Sequence, residues 1–230
     1  MAKRPVFVPE TGGRVDLHDA EFVWHPGMSK AQKQRNVRAL HESAVAYGLM
    51  PLLEVSTKSV ESLGVRLSAM NLRISLGDGK DVAVECAFQS SKVFEYGGPF
   101  LELLDAIPRQ AKRHHNLTES GNLIGFRFRG VDWPLDPSTA FYDWLYIQAL
   151  TQVENDAKQL LDYAGFTDIE FNPKKSVNTQ AHACARYVSL SRNSMLDSAM
   201  SSQAEFLRIV KAADRDPPKH RMDELLLSLE

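Results

Sequence analysis

Eleven consecutive residues, Ala140 to Leu150 (A-F-Y-D-W-L-Y-I-Q-A-L), constrain the fold of this chain more than any other stretch. At helical periodicity they are apolar on nearly every side, which predicts a helix buried all round at the centre of a core. Trp144 inside it is read as core. Asp143 and Tyr146 carry polar groups into that interior and need partners there. The chain can supply such a core, since 230 residues with 43% apolar and 24% charged content suit one large globular domain or two small ones.

A formal net charge of −2 argues against a protein that grips nucleic acid through its overall field, while leaving room for a local basic patch. Cys86 and Cys184 are too few for a disulfide framework. Neither they nor His114-His115 have partners at metal-ligand spacing, so no metal and no cofactor are assigned. No apolar run approaches the roughly 18 residues of a membrane span, and Met1-Ala2-Lys3-Arg4 is not followed by a signal-peptide core. These features predict a cytoplasmic protein without membrane contact.

Along the chain, Arg4 to Pro9 and Glu21 to Trp24 alternate as short strands, broken by Gly12-Gly13 and stopped by His25-Pro26-Gly27. Ser29 is placed to cap a helix over Lys30 to Tyr47 that ends at Gly48. Its first half holds Lys30, Lys33, Arg35 and Arg38. That face reads either as a solvated surface or as a DNA-backbone contact, because cations sit badly near a helix N-terminus unless an anion compensates. Leu52 to Val55 reads as a strand and Ser59 to Leu63 as one helical turn. Ser68 and Asn71 have the composition of turn residues that bond their own backbone. Phe100 to Ala106 predicts a short apolar helix, and Pro108 opens another. In that second helix Arg109, Lys112 and Arg113 stand at i, i+3 and i+4, either a solvated charge run or a clamp for a diphosphate.

Gly121 to Gly130 alternates through Phe126 and Phe128 as a strand or extended loop, and Trp133, held extended by Pro134, is either a core plug or a stacking platform for a flat base. Glu154 to Ala164 is helical. Phe166 to Phe171 alternates as a strand whose polar side presents Asp168 and Glu170. A helix over Ser176 to Ser189, with Asn178 and Gln180 at its start, and a final amphipathic helix over Leu196 to Val210 follow. Asp214 to Lys219 reads as a linker and Met222 to Leu229 as a short apolar terminus.

The stretch from Gly77 to Lys92 carries the most chemistry. Gly77-Asp78-Gly79-Lys80 has the glycines of a hairpin turn, joining the alternation of Leu72, Ile74 and Leu76 to that of Val82 and Val84. From Glu85 the period becomes helical. Glu85, Phe88, Gln89 and Lys92 fall at i, i+3, i+4 and i+7, so one helical face would present a carboxylate, an aromatic, an amide and an amine together. On spacing alone this is equally a polar surface helix.

The turn D-G-K followed by E-x-x-F-Q-x-x-K resembles the signature of the NADAR proteins, an Asp-Gly-Lys-like turn and then E-H-Y-F-Q-A-Q-K. Glu85, Phe88, Gln89 and Lys92 match it, while Cys86 and Ala87 replace the His-Tyr pair. Leu67-Ser68-Ala69-Met70-Asn71 is similar to the family's L-S-N-F with the Asn displaced. From about Val6 to Val210 the chain resembles the NADAR branch encoded beside DarT-type toxins, which ADP-ribosylate guanine in DNA. The resemblance implies a mixed α+β, mostly helical fold with short strands. It implies one domain over residues 1–212, including an N-terminal extension of about 65 residues, with residues 213–230 as linker and terminal segment.

It further implies hydrolysis of an N-glycosidic bond to ribose, here removal of ADP-ribose from guanine in DNA as the antitoxin to a DarT-type toxin. Glu85 would be the catalytic carboxylate, and Lys92 would protonate the leaving group or form an imine with ring-opened ribose. Phe88 and Gln89 would share the substrate face, with Gln89 on the ribose hydroxyls and the Ser68 and Asn71 loop lining the sugar pocket. Arg109, Lys112 and Arg113 would hold the diphosphate, and Trp133 the base. Asp168 and Glu170 correspond to the family's acidic segment near the sugar, although the family's W-G-x-G text is absent. Asn178-Thr179-Gln180-Ala181 is similar to the Asn pattern before its last helix. ADP-ribosylated guanine and a cognate toxin are the implied partners. Other readings are an N-glycosidase acting on a small nucleotide or riboflavin-pathway intermediate, and an inert module that binds ADP-ribose or the toxin.

Overall fold

The computed structural model describes residues 1–77, 79–172 and 176–214. Strand β1 (Ala2–Pro9) folds back onto β2 (Val15–Phe22) as an antiparallel hairpin with Ala2 opposite Phe22 and Pro9 opposite Val15. Helix α1 (Lys30–Val45) starts where Ser29 Oγ accepts the Gln32 N–H at 3.2 Å, the expected cap. It lays Val37, Leu40 and Ala44 against Val6, Val8 and Phe22. Strand β3 (Leu52–Glu54) runs parallel to β9 (Gly165–Thr167), which also meets β1, so the first sheet has the order β2-β1-β9-β3.

Helix α2 (Ser62–Arg66) leads to the hairpin of β4 (Arg73–Ser75) and β5 (Asp81–Ala83). Gly77 and Gly79 have φ of 87° and 81°, values only glycine adopts freely, and the Leu76 N–H donates to the Lys80 carbonyl at 2.8 Å. Helix α3 (Val84–Ser90) follows directly, then β6 (Lys92–Phe94), a 3-10 turn (Leu101–Asp105), α4 (Pro108–Ala111) and α5 (Asn116–Glu119). Strands β7 (Leu123–Phe128) and β8 (Val131–Trp133) join β6 in a sheet of order β6-β7-β8. Helices α6 (Ala140–Leu150) and α7 (Glu154–Gln159) precede β9, and α8 (Gln180–Arg192), α9 (Leu196–Met200) and α10 (Gln203–Ala213) complete the described chain. The architecture is mixed α and β in one compact domain, with short strands and small sheets.

Helix α6 is buried as its composition demands, and its two polar groups find partners. Asp143 forms an ion pair with Arg186, whose Nε lies 3.0 Å away, and meets His182 Nδ1 at 3.1 Å, and Arg186 reaches on to Asp214 at 3.1 Å. The Tyr146 hydroxyl donates to the Leu67 carbonyl.

Several expectations change, among them the single helix expected over Leu196 to Val210, which is two, α9 and α10, and the helix from Glu154, which ends at Gln159. Lys92 does not extend the α3 face, because the helix stops at Ser90 and Lys92 opens β6 opposite Phe126. The strand expected to reach Phe171 ends at Thr167, where the Phe171 N–H turns back to the Asp168 carbonyl at 3.1 Å. Helix α8 begins at Gln180 and not Ser176, because the Thr179 side chain caps it at the Ala181 N–H. The segment after Phe100 is a 3-10 turn instead of a helix. Beyond Asp214, the expected linker and the terminus from Met222 to Leu229 lie outside the described residues.

Gly64 lets α2 close on β3. A Cβ there would lie 1.9 Å from the Glu54 carbonyl oxygen and 2.6 Å from Ser59 Oγ. Gly64→Ala is therefore expected to cost about 1–3 kcal/mol by overpacking. Chemical denaturation should show a lower midpoint with an unchanged slope; an unchanged midpoint would mean that the two elements separate freely.

Candidate active site

The end of β5 delivers Glu85 into the second position of α3, buried at 5% exposure. Its N–H donates to the Ala69 carbonyl at 2.9 Å, and the Ala69 N–H donates to Gln180 Oε1 at 2.7 Å. The other end of that amide, Gln180 Nε2, donates to Asp168 Oδ2 at 3.1 Å. One residue of the 67–71 loop, through its N–H and its carbonyl, thus ties the start of α3 to the start of α8 and, through Gln180, to the corner after β9. Asp168 also accepts the Thr179 hydroxyl at 3.0 Å and the Glu170 N–H at 3.0 Å.

Gln89 sits one turn below Glu85 and donates Nε2 to Glu85 Oε1 at 2.9 Å. Because the carboxylate accepts, the amide must turn its NH2 that way. This leaves Gln89 Oε1 buried without a partner among the described residues. Asn178 Oδ1, beside the α8 cap, is a second buried amide oxygen with none. Two such acceptors are suited to hydroxyl donors, which a ribose has.

Two ammonium groups approach the same place. Lys112 Nζ stands 3.9 Å from Glu85 Oε1. Lys92 Nζ lies 5.0 Å over the ring of Phe88, which meets Tyr142 edge-on at 4.9 Å and belongs to the core. The Lys92 ammonium is held below its ordinary value, chiefly by burial; Glu85 opposes this and Lys112 adds to it. Buried Tyr142 is pushed well up by burial and then by both Glu85 and Asp168, so its hydroxyl lies in the field of both carboxylates. The half-buried carboxyl of Asp168 is pushed up to about 7, first by burial and next by Glu54. The Thr179 hydroxyl, the Glu170 N–H and Lys112 oppose that shift. Lys112 is thereby within electrostatic reach of Glu85, Lys92 and Asp168 together.

Other expected site residues lie differently. Ser68 Oγ and Asn71 Nδ2 both donate to the Val65 carbonyl, each at 2.8 Å, so their side chains close a turn. The loop's contribution passes through Ala69 instead. Trp133 is no platform for a base. It is 3% exposed, with its ring 4.8 Å from Trp144 and 5.5 Å from Phe141, and so fills the core. The basic segment does not act as one clamp either, because α4 is a single turn. Lys112 goes to Glu85, while Arg109 and Arg113 line an open depression of about 420 Å³ with Gln110, His114 and His115.

Tyr142 and Glu54 are the neighbours that sequence reasoning missed, and Thr179 and Gln180 were read only as flanks of the Asn178 pattern. Glu54 is buried at 1% exposure and accepts the Ser56 hydroxyl at 2.6 Å, the Thr167 hydroxyl at 2.7 Å and the Ile169 N–H at 2.9 Å. It therefore grips the residues on either side of Asp168. A lone carboxylate inside the apolar run Leu52-Leu53-Glu54-Val55 was the available signal, because a buried charge needs a reason.

Since the folded value of Asp168 lies above its unfolded value, the native state holds a proton that the unfolded state releases. Its contribution to stability is then present at low pH and is lost as pH rises from about 4 to about 7. The His41 imidazole, pushed down to about 4 by burial, acts in the opposite sense, so the comparison with a variant isolates Asp168. Between pH 5 and 8 the melting temperature of Asp168→Asn should fall less than that of the unaltered protein. Parallel curves would show that Asp168 titrates normally.

Among the described residues no helix is long and apolar enough to cross a membrane, and no three His, Cys, Asp or Glu side chains are grouped to hold a metal ion. None of the curated proteins compared with the chain matches it. A sequence model of the DarT1-associated NADAR antitoxins matches residues 2–220, a span that takes in every element from β1 to α10 and every site residue from Glu85 to Gln180. The chain belongs to the NADAR-DarT1 family of antitoxins.

Proposed function

We propose that this antitoxin is an N-glycosidase that removes ADP-ribose from guanine in DNA, reversing the modification made by a cognate DarT1-type toxin. The observation that carries the reading is the grouping of Glu85, Lys92 and Lys112, with Asp168 in the field of Lys112 and Tyr142 in that of both carboxylates, in a chain of this family. Breaking a ribosyl C–N bond builds positive charge on the sugar, and a carboxylate at the anomeric carbon stabilises it or takes a proton from the attacking water. Glu85, held by Gln89, has that role. Ribose hydroxyls donate to the unpaired oxygens of Gln89 and Asn178, and Arg109 and Arg113 hold the diphosphate in the depression next to Lys112.

Lys92 has two routes. As an ammonium with a loosened proton, it gives that proton to the departing guanine nitrogen while water adds to the anomeric carbon. As a free amine, it attacks the anomeric carbon of the adduct, and the bond to guanine breaks as guanine takes up a proton. The sugar ring then opens to an imine with Lys92, which water hydrolyses to return the amine and free ADP-ribose. Burial of Lys92 serves both routes, and a module that only bound ADP-ribose would have no use for an ammonium so disfavoured.

Glu85→Gln should keep the fold and lose about 10²- to 10⁴-fold in rate on an oligonucleotide carrying ADP-ribosylated guanine. Full activity in that variant would remove Glu85 from the mechanism. Borohydride added during turnover should link ADP-ribose covalently to Lys92 on the imine route and leave the protein unmodified on the acid route. In calorimetric titrations, Arg109→Ala and Arg113→Ala should weaken binding of ADP-ribose much more than of ribose. Equal losses would return both arginines to the solvated surface.

A further inference from the structure

Helix α1 lies against the corner that carries Asp168. Lys33 Nζ pairs with Glu170 at 2.9 Å, and His41 Nε2 meets the Thr167 hydroxyl at 2.9 Å. Thr167 and Glu170 bracket Asp168, and the Glu170 N–H is itself bonded to it. The helix is therefore a neighbour of the candidate site on its Asp168 side, whereas Lys112 after α4 adjoins it on the Glu85 side.

This helix has an unbalanced charge. It carries Lys30, Lys33, Arg35 and Arg38 against one acid, Glu42, in a chain whose net charge is −2. Glu170 satisfies Lys33. Lys30, Arg35 and Arg38 are exposed and form no ion pair among the described residues. From Lys30 to Arg38 the row runs about 12 Å along the axis, enough to meet more than one phosphate. Beside it, half-buried Trp24 has Arg4 and Lys33 each 5.5 Å from its ring centroid, adding an aromatic among the cations. Basic side chains interleaved with an aromatic are the usual surface for the backbone of a single strand.

We propose that the exposed face of α1 binds the phosphodiester backbone of the polynucleotide on either side of the nucleotide held in the cleft. The inference rests on the reading that the adduct is attached to a polymer, and it adds where the polymer lies. The cleft itself supplies the chemistry on the adduct; α1 supplies affinity for its flanks and no sequence preference.

The test is the triple variant Lys30→Ala, Arg35→Ala, Arg38→Ala, with Lys33 left in place to keep its bond to Glu170. Turnover is measured on ADP-ribosylated guanosine and on the same adduct within a single-stranded oligonucleotide. Affinity for an unmodified oligonucleotide is followed by anisotropy against salt. The expected result is unchanged turnover of the nucleoside, with kcat/KM on the oligonucleotide falling about ten-fold or more. The slope of log affinity against log salt should be shallower by about 2, from some 0.7 per lost phosphate contact. Equal effects on both substrates, or none, overturn the proposal. Unaltered protein that turns over neither substrate defeats the glycosidase reading alone, because oligonucleotide binding and its loss in the variant are still read by anisotropy. Binding of the unaltered protein to phosphatidylserine vesicles, with no measurable binding to the oligonucleotide, would overturn the proposal and assign the face to an anionic membrane surface.

Discussion

The structure depends on burying α6. A helix with no solvated face must be surrounded, and α3, α8, α10 and the β6-β7-β8 sheet supply its surroundings through Phe88, Val188, Phe206 and Phe126. Its two polar groups decide how those neighbours are oriented. Asp143 commits α8 through Arg186 and His182, and the same guanidinium fastens the end of α10 through Asp214. Removing one member of a buried pair of this kind typically costs about 3–5 kcal/mol, because the partner is left charged and unsolvated. Tyr146, one turn along, takes hold of the loop before β4 at Leu67.

The placement of the site residues follows from those two attachments. Once α8 and the 67–71 loop are both fixed to α6, Ala69 lies between Gln180 and Glu85 and bonds to the first with its N–H and to the second with its carbonyl. A backbone amide cannot change rotamer, so it is a stiffer link than a pair of side chains would be. Glu85 and Asp168, distant in sequence and on different elements, are held in one site by this link, with Tyr142 of α6 between their fields.

Electrostatic strain at the cleft is sustained by hydrogen bonding around it. Glu54 disfavours the ionised form of Asp168, yet Glu54 accepts three donors and Asp168 three. Two of the Glu54 donors flank Asp168, so the repulsion and the positioning come from the same side chain. Lys112 offsets both carboxylates in the cleft and further destabilises the Lys92 ammonium. This arrangement keeps an acid and an amine both displaced toward neutrality, which is useful for moving protons and costly for stability.

Much of the architecture was written locally. The all-round apolar run from Ala140 made α6 legible, Ser29 and Gly48 bounded the first helix, and Gly77 with Gly79 marked the hairpin into α3. The Glu85, Phe88 and Gln89 spacing was equally readable, because four residues make a helical turn wherever they are. What the chain by itself did not reveal was Lys92 leaving the helix for a strand, Lys112 parting from Arg109 and Arg113, Trp133 turning inward onto Trp144, and Gln180 reaching Ala69. Each of these depends on which element lies across from it. A sequence states the reach of a side chain and its preferences, and so it determined the elements, the central helix and the carboxylate that opens α3. Only the packing of α6 decided which charges share the site, because desolvation and ion pairing act between segments distant in sequence.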